Sequence, residues 1–227
     1  MRGHEPYASV SIRMSMDNRL PPGQRPLDRF PRFGTNQGPP PAVPTAPVIE
    51  ITGAVEAPTT VAVADLPSLP RRTLIADFHC VAGWSARGLR WEGVPLAEVL
   101  RPAPAATHVR FAGLDGHWSV MLLKDALADD VLLADRLDSA PLGAKHGAPV
   151  RLIAPAHYGF VNVKHLCTIE LLSAQPAQSH GAASAFAGFG LRMFGYRRFT
   201  RARVWEEERH AVLPARAIRL LGRVIGP

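Results

Sequence analysis

The chain has 227 residues, of which 47% are hydrophobic and 20% are charged. This composition can form a hydrophobic core and excludes a chain that is disordered throughout. No run of 18 apolar residues occurs, which excludes a membrane-spanning helix. Residues 1–20 hold no apolar segment typical of a secretory signal, although a chain whose signal had been removed would look the same. Two cysteines are too few for a disulfide framework, so we expect a cytoplasmic protein.

The net charge of +7 belongs to the end of the chain. Residues 192–227 contain nine arginines and three glutamates, a balance of +6, which leaves +1 for all the other residues. The body is therefore nearly neutral, which disfavours nucleic acid as its partner. Contact between the basic end and an anionic surface stays open, beside a purely solvated role for its arginines.

The organisation along the chain divides into three parts. Residues 1–47 hold ten of the 22 prolines and predict an extended arm, which Phe30 and Phe33 could anchor on the body. A single domain is expected over residues 48–175. Residues 176–227 predict a basic, partly helical extension, with helices near 205–210 and 215–224.

The middle of the chain favours short strands separated by turns. Residues 48–51 alternate between apolar and polar side chains, as a half-buried strand does. Residues 108–111 and 118–121 flank a Gly-Leu-Asp-Gly turn and predict a hairpin. Helical turns are expected only near 95–100 and 124–128. The pattern predicts a β-rich, mixed α+β fold with a sheet or barrel-like arrangement.

Cys80 closes an apolar strand and opens a turn of small residues that ends at Ser85. A thiol in that position can reach a ligand, although a lone cysteine is more often an inert buried residue. His79 would point to the opposite face of the strand, and no CxxC or HxxxH pair occurs, so a zinc site is disfavoured. Cys167, in the middle of a strand, is expected to be inert.

Two cations bracket a second segment of interest. Arg151 and Lys164 lie 13 residues apart around a strand and a glycine-containing loop. An anionic ligand could bind Arg151 through two hydrogen bonds, Lys164 through its charge, and the backbone near Asn162. Such residues at strand ends are more often merely solvated. The absence of GxGxxG, Walker and nucleophile-elbow motifs removes support for nucleotide binding by those loops and for a serine hydrolase.

Taken together, these segments resemble the sulfite-oxidase family of molybdopterin enzymes. The resemblance rests on residues 77–85 (DFHCVAGWS), residues 111–116 (FAGLDG), residues 146–151 (HGAPVR) and residues 158–164, in the family's order, and it spans roughly residues 48–172. The turn after Cys80 is most similar to the bacterial branch that includes the molybdenum subunit of methionine-sulfoxide reductase. The resemblance implies the sulfite-oxidase molybdopterin-binding fold.

The resemblance also implies the cofactor and its ligands. Cys80 matches the one cysteine that binds molybdenum, and a soft thiolate suits that metal. The positions that match contacts to the pterin and its phosphate are Asp115, His146, Arg151, Lys164, the backbone at Asn162 and Val163, and, in the arm, Arg32 and Phe33. Cofactors of this kind carry the redox chemistry while the protein provides placement and electrostatics.

The expected function is oxygen-atom transfer at this molybdenum centre, with a small-molecule substrate that the sequence leaves open between a sulfite-like anion and a sulfoxide-like oxygen donor. Arg87 and Arg90 could bind an anion or be solvated. The sequence lacks a haem or flavin motif, so a separate electron-transfer partner is expected. No counterpart of the family's dimerisation domain follows Leu172, which favours a monomer. The alternative is a catalytically silent pterin-fold scaffold that acts through its arginine-rich extension.

Overall fold

The computed structural model describes residues 10–13, 19–32, 39–178, 180–181, 199–209, 214–217 and 219–220. Strands dominate these residues, and the predicted β-rich, mixed α+β class is confirmed. In chain order the strands are β1 (Val10–Arg13), β2 (Arg25–Leu27), β3 (Val48–Gly53), β4 (Thr59–Ala62), β5 (Arg72–Cys80), β6 (Trp84–Pro95), β7 (His108–Gly113), β8 (Trp118–Leu122), β9 (Leu132–Leu137), β10 (Ala140–Pro141), β11 (Arg151–Ile153), β12 (Leu166–Leu172) and β13 (His180–Gly181).

The helices are short. The two α-helices with defined bounds are α1 (Leu96–Val99) and α2 (Leu123–Ala126), and two 3₁₀ helices cover Val63–Ser68 and Ala144–His146. Residues 215–217 and 219–220 of the C-terminal extension are also helical. In the part of the chain that the structure describes, no helix is both long enough and apolar enough to cross a membrane.

The described strands form two open sheets. The first has the order β1-β5-β6-β9-β10, with β11 also paired to β9 and β2 to β6. The second has the order β13-β8-β7-β12-β3-β4. The hairpin expected from the Gly-Leu-Asp-Gly turn is present as the antiparallel pair β7 and β8.

Alternating side chains explain the second sheet. In β3, Ile49 and Ile51 are buried while Val48 and Glu50 are exposed, because successive side chains of a strand point to opposite faces. The first sheet is buried on both faces instead. In β9, Leu133 joins the core between the two sheets, whereas its neighbours Leu132 and Ala134 join a second core on the outer face. Cys80 belongs to this outer core.

The long strand β6 carries a bulge that only glycine can occupy. Its pairing with β9 shifts between Glu92 and Gly93. A Cβ atom on Gly93 would lie 2.1 Å from the main-chain oxygen of Leu133, well inside the distance that real contacts show. The bulge therefore depends on a residue without a side chain.

The described parts of the arm and of the extension pack on the body. Strands β1 and β2 of the arm pair in parallel with β5 and β6, and Leu27 and Phe30 pack against the outer core. The helix expected at 205–210 is wrong where the residues are described: 204–207 form turns. Glu207 has a φ of +53°, which a right-handed helix does not allow. The division of the chain at residues 47 and 175 stays a prediction.

Candidate functional site

Cys80 lies at the sharp connection between two paired strands. Strand β5 ends at Cys80 and β6 begins at Trp84, and these two residues pair across the turn. The turn is closed by the Gly83 N–H, which donates to the Cys80 carbonyl oxygen at 3.0 Å. The thiol is buried, and burial raises its pKa to about 12. In this environment the sulfur stays protonated at neutral pH unless a cation binds it.

A chain of polar side chains lies beside Cys80. His79 Nδ1 is 2.7 Å from Ser85 Oγ, and Ser85 Oγ donates to Gln24 Oε1 at 3.1 Å. Gln24 comes from the arm, and its Nε2 donates to the Cys80 carbonyl oxygen at 3.1 Å. Burial lowers the pKa of His79 to about 4, so its ring is neutral at neutral pH. The arm is thus hydrogen-bonded to both sides of the cysteine turn.

Arg151, at the start of β11, is a buried cation without a carboxylate partner in the described residues. Its Nη1 donates to the His146 carbonyl at 2.8 Å and its Nη2 to the Asn162 carbonyl at 3.1 Å. Its Nε has no hydrogen-bond partner among the described atoms. The guanidinium also lies 5.4 Å from the ring centroid of Phe78. Burial lowers the pKa of Arg151 to about 9, because a buried guanidinium is separated from the water that would solvate its charge.

The charge of Lys164 lies in the same electrostatic neighbourhood. Burial lowers the pKa of Lys164 to about 8, and the cations Arg151 and Arg32 lower it further. Asp115 and Cys80 act in the opposite direction. Asp115 is exposed in the turn between β7 and β8, where its Oδ1 accepts the His117 N–H at 3.0 Å. The fold therefore gathers cations from the arm, β11 and the loop before β12.

His146 completes this group through the arm. Its ring stacks on Phe30 at 4.7 Å between centroids, and Phe30 also packs on Phe78 at 4.9 Å. Burial lowers the pKa of His146, as do the charges of Arg151 and Lys164. Phe30 thus covers the residues around Arg151. The two described clefts, of about 260 and 490 Å³, are lined by other residues.

Of the remaining predicted contacts, Asn162 and Val163 form hydrogen bonds within the fold, and Phe33 is not among the described residues. The Asn162 side chain folds back on its own loop, where Oδ1 accepts the Ala154 N–H at 2.7 Å, and only its carbonyl faces Arg151. Val163 is buried in the core between the sheets, and its carbonyl accepts the Leu152 N–H at 2.9 Å. Phe33 lies outside the described residues.

The arginines that follow the cysteine turn are engaged at the surface. Arg87 Nε lies 3.7 Å from Asp77 Oδ2, and Arg90 pairs with Glu92 and bonds Ser139. Their charges are offset by carboxylates, in contrast to that of Arg151. Of the two roles that the sequence left open for Arg87 and Arg90, anion binding or a solvated surface position, these surface contacts fit the second.

Sequence reasoning missed two residues that contact the Cys80 turn. They are Gln24 of the arm and Arg209 of the extension, which donates to the Val81 carbonyl. Gln24 lies in a proline-rich arm without periodicity, and Arg209 looks like one more charge in a basic segment. The run of three glutamates before Arg209 was the only local signal for ion pairing there.

Comparisons with known proteins agree on one family. The family described as "Oxidoreductase molybdopterin binding domain" matches residues 37–180. The chain is 32% identical over 181 residues to the protein-methionine-sulfoxide reductase catalytic subunit MsrP of Ralstonia nicotianae, covering 69% of this chain and 54% of that protein. It is 29% identical over 167 residues to the uncharacterized oxidoreductase YuiH of Bacillus subtilis, covering 72% of this chain and 84% of YuiH.

A solved structure shares the fold. The sulfane dehydrogenase SoxCD from Paracoccus pantotrophus superposes with a TM-score of 0.52 at 24% identity, over 56% of this chain and 38% of that chain. The chain spans about half the length of the MsrP subunits that it matches.

Proposed function

The chain belongs to the oxidoreductase molybdopterin binding domain family, and on this premise we propose that Cys80 is the protein ligand of a molybdenum centre that transfers oxygen atoms. The resemblance to the sulfite-oxidase family is thereby confirmed, and the protein is a molybdopterin-dependent oxidoreductase with a molybdenum cofactor. The ligand, the pterin contacts and the substrate are the parts that we propose.

The residues present fit an anionic, sulfur-bound metal cofactor. Arg151 carries a buried charge with no carboxylate to balance it among the described residues, and its Nε is unpartnered. Lys164 adds a second cation whose pKa is lowered by burial. An anionic group would offset the cost of burying the Arg151 charge. This buried charge, which no carboxylate of the described residues balances, is the observation that carries the proposal.

Each predicted contact then has a distinct task. The Cys80 sulfur would hold the metal, while Arg151 and Lys164 would bind the anionic end of the pterin. His146 and Arg32 would lie beside them, and Asp115 would accept a hydrogen bond at the exposed turn. We also propose the backbone of Asn162 and Val163, together with Phe33, as contacts. When bound, the cofactor supplies the two-electron oxygen-atom transfer, and the chain's own residues orient it and exclude water.

A sulfoxide is the substrate class that the site favours. Arg87 and Arg90 are paired with carboxylates, so neither offers an uncompensated charge to a sulfite-like dianion. The MsrP relative is named a methionine-sulfoxide reductase, although this chain covers only 54% of it. Reduction of a sulfoxide consumes two electrons and two protons and yields a thioether and water. The electrons would come from a separate partner protein, and a cytoplasmic, monomeric enzyme stays a prediction.

Metal analysis and a paired assay test this function. Protein produced with molybdate should contain close to one molybdenum per chain, and Cys80→Ser should contain almost none. Cys167→Ser, which alters the other cysteine, should keep the metal. Reduced viologen dye should be oxidised by methionine sulfoxide in the wild type, and ferricyanide should not be reduced by sulfite. Pterin-bearing wild type without molybdenum would refute the proposal, and turnover of sulfite alone would reverse the substrate assignment.

A further inference from the structure

The turn that carries Cys80 is held by segments outside the part of the chain that the family matches. That match covers residues 37–180. From the arm, Gln24 Nε2 donates to the Cys80 carbonyl at 3.1 Å, and the Arg25 N–H donates to the Gly83 carbonyl at 3.0 Å. From the extension, Arg209 Nη1 donates to the Val81 carbonyl at 2.7 Å. Three carbonyls of one four-residue turn are therefore bonded from outside the matched domain.

Arg209 joins the arm, the turn and the body. Its side chain is fully buried, and its Nη2 donates to the Pro22 carbonyl at 2.8 Å. The guanidinium lies 5.0 Å from the ring centroid of Tyr158, and its Nε is 3.6 Å from Glu207 Oε1. Planar geometry lets one guanidinium bond two carbonyls in fixed directions, which a lysine ammonium cannot do as rigidly.

The extension is itself anchored around Arg209. The Tyr158 N–H donates to the Ala202 carbonyl at 3.0 Å, and the Val204 N–H donates to the Ala156 carbonyl at 3.0 Å. Glu207, which faces Arg209, also pairs with Arg219. The hydrogen bonds before Arg209 and the ion pair of Glu207 fix the segment that carries Arg209, so its guanidinium has few alternative positions. Arg209 is thus a fixed charge rather than a mobile one.

We propose that Arg209 and Gln24 form a clamp, built by the extension and the arm, that positions the Cys80 turn for metal binding. Arg209 is a positioning residue, since it acts through the main chain of the turn. The inference rests on the proposed function in taking Cys80 as the metal ligand. It follows that residues 37–180 alone, without the arm and the extension, would hold the Cys80 turn less firmly in the conformation that binds the metal.

The first test measures metal in the holoenzyme. Arg209→Met should retain molybdenum roughly 10- to 100-fold more weakly during dialysis against a chelator, as losses of residues that orient metal ligands do. Arg209→Lys keeps the charge but not the two hydrogen bonds to carbonyls, so its retention of molybdenum should lie between that of Arg209→Met and that of the wild type. Arg216→Met, an exposed arginine of the same extension, is the matched control and should equal the wild type. Equal retention in Arg209→Met and the wild type would overturn the clamp.

A second measurement does not require the cofactor. In protein produced without molybdate, amide hydrogen exchange of Gly83 and Arg25 should be about tenfold faster in Arg209→Met than in Arg216→Met, because the turn loses charge-assisted bonds. Unchanged exchange would overturn the clamp even where the wild type never binds molybdenum. If the wild type binds molybdenum and Cys80→Ser does not, the proposed function stands whatever Arg209→Met does.

A variant in the arm protects the test against misfolding. Should Arg209→Met fail to fold, Gln24→Met removes the other side of the clamp from a half-buried position. Gln24→Met should then show the same faster exchange at Gly83 and the same weaker retention of metal. Wild-type behaviour of Gln24→Met in both measurements would count against the clamp.

Discussion

Arg151 Nη2 donates to the main-chain carbonyl of Asn162 at 3.1 Å. This bond joins the start of β11 to the loop that leads to Lys164, and it leaves the Arg151 charge without a carboxylate in the described residues. The side chain that the sequence singled out as an anion ligand is therefore also a structural link. The two roles can be separated by experiment.

Arg151→Met should affect the cofactor far more than the fold. Hydrogen bonds from a charged group contribute about 1.5–3 kcal/mol, so the affinity for the cofactor should fall roughly 10- to 100-fold and the purified protein should contain clearly less of it. The cofactor-free protein should lose no more than about 1 kcal/mol, because relief of a buried, unpaired charge offsets the lost carbonyl bonds. Pterin fluorescence after denaturation measures cofactor content, and urea unfolding measures stability.

Arg101→Met is the control for Arg151→Met. Arg101 is exposed and also bonds main-chain carbonyls, at Ala97, Glu98 and Leu100. It should leave cofactor content unchanged. A similar loss of cofactor in both variants would mean that Arg151 has no specific role in binding the anion.

Gly147→Ala should disturb the cationic group directly. Gly147 has a φ of +106°, and an added Cβ would lie 2.9 Å from Lys164 Cβ and 3.2 Å from Arg151 Cβ. We expect a loss of about 1–3 kcal/mol in the free energy of unfolding, measured with urea, together with a lower cofactor content.

Gly143→Ala provides the comparison, because Gly143 directly precedes the 3₁₀ helix Ala144–His146 and Gly147 directly follows it. Its φ of −75° suits alanine, and no atom lies within 4 Å of the added Cβ. This change should be neutral or should stabilise the fold by about 0.4–1 kcal/mol. Equal destabilisation by the two alanines would show that the backbone argument at Gly147 is incorrect.

The stability that Asp125 contributes through its contacts with His157 and with Arg203 of the extension should be lost in acid. It is buried in α2, with Oδ2 3.7 Å from His157 Nε2 and Oδ1 3.5 Å from Arg203 Nη1. Contact with His157 and then the charge of Arg203 lower the pKa of Asp125 below its usual 3.8, despite an opposing effect of burial. A carboxyl with a lowered folded pKa stabilises the protein above the unfolded value, and that stability is lost as the pH falls through the folded one.

Urea unfolding at pH 6 and pH 3 checks this contribution. Asp125→Asn should be clearly less stable than the wild type at pH 6, and the difference should shrink at pH 3. Asp129→Asn, which changes a carboxylate whose side chain is 91% exposed, should differ little from the wild type at either pH. If the difference in the free energy of unfolding between Asp125→Asn and the wild type is the same at both pH values, the charge of Asp125 is excluded as its cause.

Much of the body could be predicted from the sequence because its signals are local. The alternation in β3 and the Gly-Leu-Asp-Gly turn between β7 and β8 reflect burial of every second side chain and the conformation of a tight turn. The helix predicted near residues 205–210 is wrong because no local signal there separates a helix from a turn. Nearby arginines and glutamates there form ion pairs in a turn, such as that of Arg203 with Glu206, and composition alone does not distinguish the two outcomes.

By itself the sequence determined the strand that ends in a thiol, the cations at 151 and 164, and the family that they indicate, since each is carried by residue types at short spacing. Only the tertiary structure decided what surrounds that thiol. Gln24 reaches Cys80 across 56 positions of the chain, and Arg209 reaches Val81 across 128. Such contacts depend on how distant segments pack, because the hydrogen bonds of a turn's carbonyls are chosen by proximity in space and leave no periodic pattern in the chain.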